Sequence, residues 1–168
     1  MSATAAIVQE LEQESATTRR VLERVPTDKL AWKPHEKSMT LGRLAMHVAR
    51  IPGFICEWAV ADTLSFPSGD PDLAPTSTTD VLSAHDVSLA KAKNAIGRVG
   101  DAGLGKMWEM KTPDGTTMMA MPKAAVLRSL ALNHLYHHRG QLSVYLRLLD
   151  VPVPSIYGPS ADENPWAK

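Results

Sequence analysis

Apolar residues recur at three- and four-residue intervals in four long stretches of the chain, the spacing of helices that bury one face. In the first stretch Ile7, Leu11, Thr18 and Leu22 share a face. Ser2 is placed to cap it, and Pro26 with Thr27 should stop it near Val25. The second begins near Thr40, with Leu41, Leu44, Val48 and Ile51 as its stripe. Pro52-Gly53 should interrupt it with a kink, because proline removes a backbone donor and crowds the preceding turn; Ile55, Trp58 and Ala59 then carry it to about residue 62. The third starts between Ser77 and Thr79, where Asp80, three residues after Ser77, forms a capping box with a shortened acid. Its buried side is expected from Val81, Leu82, Val87, Leu89, Ala92 and Ile96, and Gly97, Gly100 and Gly103 should end it. The fourth runs over about 122–149. Leu127, Leu130, Ala131, His134, His138, Leu142 and Tyr145 fall on one side of it, and Arg128, Arg139, Ser143 and Arg147 mostly on the other.

The connections are shorter and less regular. Residues 26–39 read as a link containing a short turn, anchored by Leu30 and Trp32. Residues 66–75 hold three prolines and read as a loop. Two short runs, 106–110 and 116–121, flank Pro113-Asp114-Gly115, and an Asp-Gly step between such runs is a hairpin signal. The tail VPVPSIYGPSADENPW, with four prolines, should wrap the helices as irregular chain. With no strand–helix alternation, the pattern predicts an all-α fold: an antiparallel four-helix bundle with a small β-hairpin before the fourth helix, forming one domain over 1–168.

Composition narrows the classes. A chain of 168 residues, 44% apolar, can bury a core large enough to stand without a metal staple, so a bound metal is free to serve chemistry. The 18 basic and 18 acidic residues cancel and form no block, which argues against nucleic acid and against a polybasic membrane anchor. No apolar run is long enough to span a bilayer. The acidic, amphipathic start MSATAAIVQELEQESATT is unlike a signal peptide, and the single Cys56 cannot form an internal disulfide. The expectation is a cytoplasmic protein of a reducing compartment.

The candidate chemistry lies in the histidines. His134 and His138 are four apart, which places their Cβ atoms about 5–6 Å from each other on one helix face. They lie in the apolar stripe between Ala131 and Leu142. Spacing alone leaves two explanations, a pair of core histidines bonded to each other or to carbonyls, and two ligands of one ion. His47 sits three residues after Leu44 and four before Ile51, so a second helix also spends a core-edge position on imidazole. A shared ion accounts for both helices, and three neutral nitrogens leave positions open for water or substrate. His137 is turned about 100° from His138, and His35 and His85 have no histidine partner in sequence; these three are read as non-ligands. Cys56 reads as a small buried residue, and Met107, Met110, Met118, Met119 and Met121 as packing or subunit contact at the hairpin.

The stretches WKPHEKSMTLGRLAMHVARIPGF, NHLYHHRGQLSVYLRLL and VPVPSIYGPS resemble the DinB/YfiT-like family, and the most specific part is H-x-x-x-H-R-G-Q from His134 to Gln141. The resemblance implies a four-helix bundle holding a divalent metal (nickel, zinc or iron) through His47, His134 and His138. It also implies a homodimer acting on a small-molecule substrate, with a low-molecular-weight thiol as cosubstrate and S-transfer to an electrophile as the leading reaction. A hydrolase using activated water, a metal-stapled bundle without activity and a small-molecule binding protein are the alternatives. Arg139, Gln141 and Tyr145 follow the ligands and are candidates to line the pocket or orient a ligand; Arg139 can anchor a substrate carboxylate or an acid on a helix surface.

Overall fold

The computed structural model describes residues 2–65 and 74–167. Helix α1 spans Ala3–Leu22, with the Ser2 side chain accepting from the Ala5 N–H as its cap. A 3-10 turn at Thr27–Lys29 leads to α2, Leu41–Trp58, capped by the Thr40 side chain on the Arg43 N–H. Strand β1, Thr63–Ser65, precedes α3, Thr78–Gly103, whose N-terminus carries the complete Ser77–Asp80 capping box. The hairpin consists of β2, Met107–Lys111, and β3, Thr117–Pro122. The fourth helical arm has three parts: α4, Lys123–Ala125; a π-helical segment, Val126–Leu132; and α5, Asn133–Leu148.

Side-chain bonds fix the directions of the four helices. Thr4 with Asp101 and Ser15 with His85 set α1 antiparallel to α3. His47 with His134 and Met39 with Tyr145 set α2 antiparallel to α5. Ser88 on α3 bridges the two halves of Gly53's turn on α2, accepting from the Gly53 N–H at 2.8 Å and donating to the Arg50 carbonyl at 3.1 Å. A Cβ at Gly53 would lie 2.8–3.0 Å from Ser88 atoms, so this glycine permits the α2–α3 approach. The expected interruption at Pro52-Gly53 is absent: α2 is helical through both residues and ends at Trp58 rather than near 62.

The core is built from the expected stripes, with Leu11, Leu22, Leu41, Leu44, Ile51, Leu127 and Leu142 at 1% exposure or less, and Leu135, outside the expected stripe of the fourth helix, joins them at 1%. Trp108 of β2 is fully buried and donates its Nε1–H to the Trp58 carbonyl at 2.9 Å, which pins the hairpin to the end of α2. Three details differ from the pattern-based expectation. Val87 is 55% exposed, and α3 turns His85 inward in its place. The hairpin gains a third strand, because β1 pairs in parallel with β2 through Thr63–Glu109, Leu64–Met110 and Ser65–Lys111. Within α3, Gly97 stays helical and Gly100 takes the left-handed region at φ 62°, bending the chain before Gly103 ends it. The 66–75 loop lies largely outside the described residues. Among the described residues no helix is long and apolar enough to cross a membrane.

Candidate metal centre

The Thr40 cap and the apolar stripe of α2 set its rotation, leaving His47 at the edge facing α5. On α5 the buried series Leu135, Leu142 and Leu146 fixes the rotation that turns His134 and His138 toward α2. All three histidines are half-buried, and each offers one donor atom, these atoms lying within 4.8 Å of one another. His47 Nε2 is 3.3 Å from His134 Nε2, and His138 Nε2 is 2.8 Å from His134 Nε2. Nitrogens about 2.0–2.1 Å from one ion lie about 2.9 Å apart at a right angle and about 3.3 Å apart at the tetrahedral angle. The observed separations match the edges of such a coordination shell.

The surroundings prepare the nitrogens for that role. Gln141 Oε1 accepts from His138 Nδ1–H at 2.7 Å, which leaves the lone pair on Nε2. His134 hydrogen-bonds the backbone of Leu130, one turn earlier. Two lone pairs facing each other at 2.8 Å call for a cation between them; a proton serves one pair, whereas a divalent ion serves all three rings. Burial pushes the His134 and His138 pKa values below the ordinary histidine value, with the neighbouring His138 and His137 adding to the drop at His134, and His137 adding to it at His138. Both rings are therefore neutral near pH 7, the form a metal ligand needs. The three-histidine donor set could hold a metal ion.

Other candidates fall elsewhere. His137 is exposed, and His35 accepts from the Lys37 N–H on the surface. His85 is buried against Ser15, 2.9 Å from its Oγ. Cys56 is buried, and its thiol is pushed up to about 12 by burial and by Glu57, so it is no thiolate nucleophile. It lines a small apolar cavity with Leu11, Pro52 and Leu127, away from the histidines. The methionines split: Met110 is buried, whereas Met107, Met118 and Met119 are 54%, 56% and 37% exposed.

Of the three residues expected beside the ligands, Gln141 alone bonds to one. Tyr145 stacks edge-on against Trp32 at 5.7 Å and donates to the Met39 carbonyl, anchoring the link before α2. Arg139 requires a correction. Its expected place was the outer side of the helix, yet it is 1% exposed. Its guanidinium donates to Glu14 Oε2 at 2.7 Å, the Glu14 carbonyl at 3.2 Å, Thr18 Oγ1 at 3.1 Å and the Tyr157 hydroxyl at 2.5 Å. It also lies over the Tyr136 and Tyr157 rings. Arg139 thus fastens α5 and the tail to α1, with its donors engaged by protein. The apolar residue missed from sequence is Phe54, seven positions after His47 on the same face, with its ring 6.2 Å from the His47 ring and 5.1 Å from Trp58.

Comparison with known proteins agrees with this architecture. The family model described as "DinB family" matches residues 1–166. The uncharacterized Bacillus subtilis protein YrdA is 29% identical over 161 residues, 94% of this chain and 88% of its own. A crystal structure of a DinB-like protein from Bacillus cereus superposes with a TM-score of 0.70 at 23% identity, covering 90% of this chain and 95% of its own. The DinB-like protein YjoA of Bacillus subtilis gives 0.68 at 20% identity, with 88% and 95% covered. The chain belongs to the DinB family.

Proposed function

We propose that this protein is a metal-dependent enzyme in which His47, His134 and His138 hold one divalent ion, nickel, zinc or iron, and that its leading reaction is S-transfer, in which a low-molecular-weight thiol gives up its S–H proton and is joined intact through its sulfur to a small electrophile. The observation that carries the reading is the convergence of three Nε2 atoms at 2.8 and 3.3 Å on a half-buried edge of the bundle. A bound ion there supplies stabilisation of thiolate over thiol. The chain's own residues supply the rest. Gln141 and the Leu130 backbone orient two of the rings, burial keeps them neutral, and Phe54 offers an apolar wall beside His47. Among the described residues the cluster has three donors, which favours a site with open positions over a closed staple. The exposed Met107, Met118 and Met119 support a homodimer that covers the hairpin.

The test is elemental analysis of the purified protein, followed by assays with each metal restored. Product formation that requires both the metal and an added thiol supports the proposal. Turnover that is metal-dependent but independent of thiol transfers the reading to a hydrolase. Metal bound without turnover of either kind favours the binding or staple role.

A further inference from the structure

Several polar contacts join α1 to α3 among the described residues, and one of them is buried. Thr4 bonds to Asp101, Lys93 pairs with Glu12 and Arg19 pairs with Asp86, all at the surface, where such contacts are worth little. The other lies inside: His85 Nε2 is 2.9 Å from Ser15 Oγ, and both residues are 4% exposed. The second ring nitrogen, Nδ1, is 3.4 Å from Asp86 Oδ1, the oxygen that also takes Arg19 at 2.5 Å. That carboxylate sets the tautomer. A lone pair on Nδ1 would face like charge, so Nδ1 carries the proton and Nε2 accepts from the Ser15 hydroxyl. The buried contact is therefore made by a neutral ring. A second proton would set Nε2–H against the Ser15 hydroxyl hydrogen and leave a cation between two helices with almost no water beside it. Asp86 of α3 and Glu23 of α1 favour the cation, and Arg19 of α1 opposes it; burial is the largest influence and holds the ring below the ordinary histidine pKa. Beside this point α2 meets α3 through backbone groups, the Gly53 N–H and the Arg50 carbonyl on Ser88.

We infer that His85 is an acid-released latch, which fastens α1 to α3 while its ring is neutral and lets the two helices part when the ring takes up a proton, ahead of unfolding of the rest of the bundle. Cys56, the single cysteine of the chain, stands where that parting can be seen. It lines the small apolar cavity with Ile7 and Leu11 of α1 and Ile96 of α3, and Leu11 is one turn before Ser15. In the closed form its thiol is 2% exposed and pushed up to about 12 by burial and by Glu57, so it is unreactive. Movement of α1 away from α3 uncovers it. The sign of the pH effect follows from the ring. The closed form holds the proton less tightly than the open form, so opening takes up a proton. Opening is hardest above about pH 6.5 and eases by up to about tenfold per pH unit below it, until the closed-state value is reached.

The experiment is labelling of Cys56 with 4,4′-dithiodipyridine, which reacts with thiols in weak acid, from about pH 7.5 down to about pH 5. Each rate is divided by that of the urea-unfolded chain at the same pH. In wild type the ratio should rise by up to about tenfold per pH unit below about 6.5. Its dependence on added urea should be much shallower than that of global unfolding followed by circular dichroism, as for a local opening. His85→Gln keeps a bonding group beside Ser15 but takes up no proton. Acid effects of the other histidines are common to both proteins, so the smaller rise expected in His85→Gln reads the latch alone. An equal rise in His85→Gln and wild type overturns the inference, as does wild-type labelling that follows global unfolding at every pH. If His85→Gln does not fold, Arg19→Gln decides. It removes the charge that opposes the cation and should end the rise at a higher pH; an unchanged profile there overturns the inference.

Discussion

Removing the Arg139 side chain should destabilise the protein far more than removing any arginine on its surface. The guanidinium is 1% exposed and its partner Glu14 carboxylate 12%, so water screens neither. Arg139→Ala deletes the ion pair, the bonds to the Glu14 carbonyl and Thr18, and the stacking on Tyr136 and Tyr157. Glu14 is left inside with one remaining donor, the Tyr157 hydroxyl at 3.0 Å. Breaking a buried pair by removing one partner costs about 3–5 kcal/mol, and the surviving Tyr157 bond places this case near the lower end. At about 2–4 °C per kcal/mol for a chain of this size, the melting temperature should fall by about 6–12 °C. Urea denaturation of wild type, Arg139→Ala, Glu14→Ala and the double variant measures the coupling directly. Arg139→Met with Glu14→Leu should regain most of the loss, because two apolar side chains leave no charge unpaired. A loss below about 1 kcal/mol in Arg139→Ala would refute the reasoning, since that is the range of exposed ion pairs.

Further outcomes follow from the same contacts. Gln141→Leu should lower metal affinity by about 10–100-fold with the fold intact, because it removes the acceptor that orients His138 on an exposed position; unchanged affinity in competition with a chelator would contradict this. Burial holds His85, His134 and His138 below their ordinary pKa, so the folded chain binds fewer protons than the unfolded chain in acid. Stability is then complete above the unfolded histidine value of about 6.5 and is lost as pH falls through the lower folded values, which urea melts across that range will show as a declining midpoint. Light scattering at micromolar concentration should give a dimer mass, and Met118→Lys should shift it toward the monomer if the hairpin is the contact.

Much of this molecule is legible in its sequence because the signals are local. The caps Ser2 and Ser77 with Asp80 act within a single turn, and the structure places both where the pattern does; the second helix also starts where expected, just after Thr40. The histidine cluster is visible because imidazole at apolar-stripe positions of two helices is costly without a shared partner. What escaped detection depends on distant partners or on too few residues. Arg139 reads as a surface charge until Glu14, 125 residues earlier, and Tyr157 of the tail are brought beside it. Strand β1 has three residues, too few for an alternation to be read, and it exists through its pairing with β2. The π segment Val126–Leu132 is set by its backbone hydrogen bonding, which the apolar spacing of the sequence, read as one continuous helix, does not report.

The central claim is that three histidines from two helices share one ion. The measurement that tests it most directly is metal stoichiometry of the purified protein and of His47→Ala, His134→Ala, His138→Ala and His137→Ala, with helical content followed by circular dichroism. The account predicts about one ion per chain in wild type and in His137→Ala, and close to none in the three ligand variants, all of them still folded. Full occupancy in His138→Ala, or loss of metal confined to His137→Ala, would contradict it.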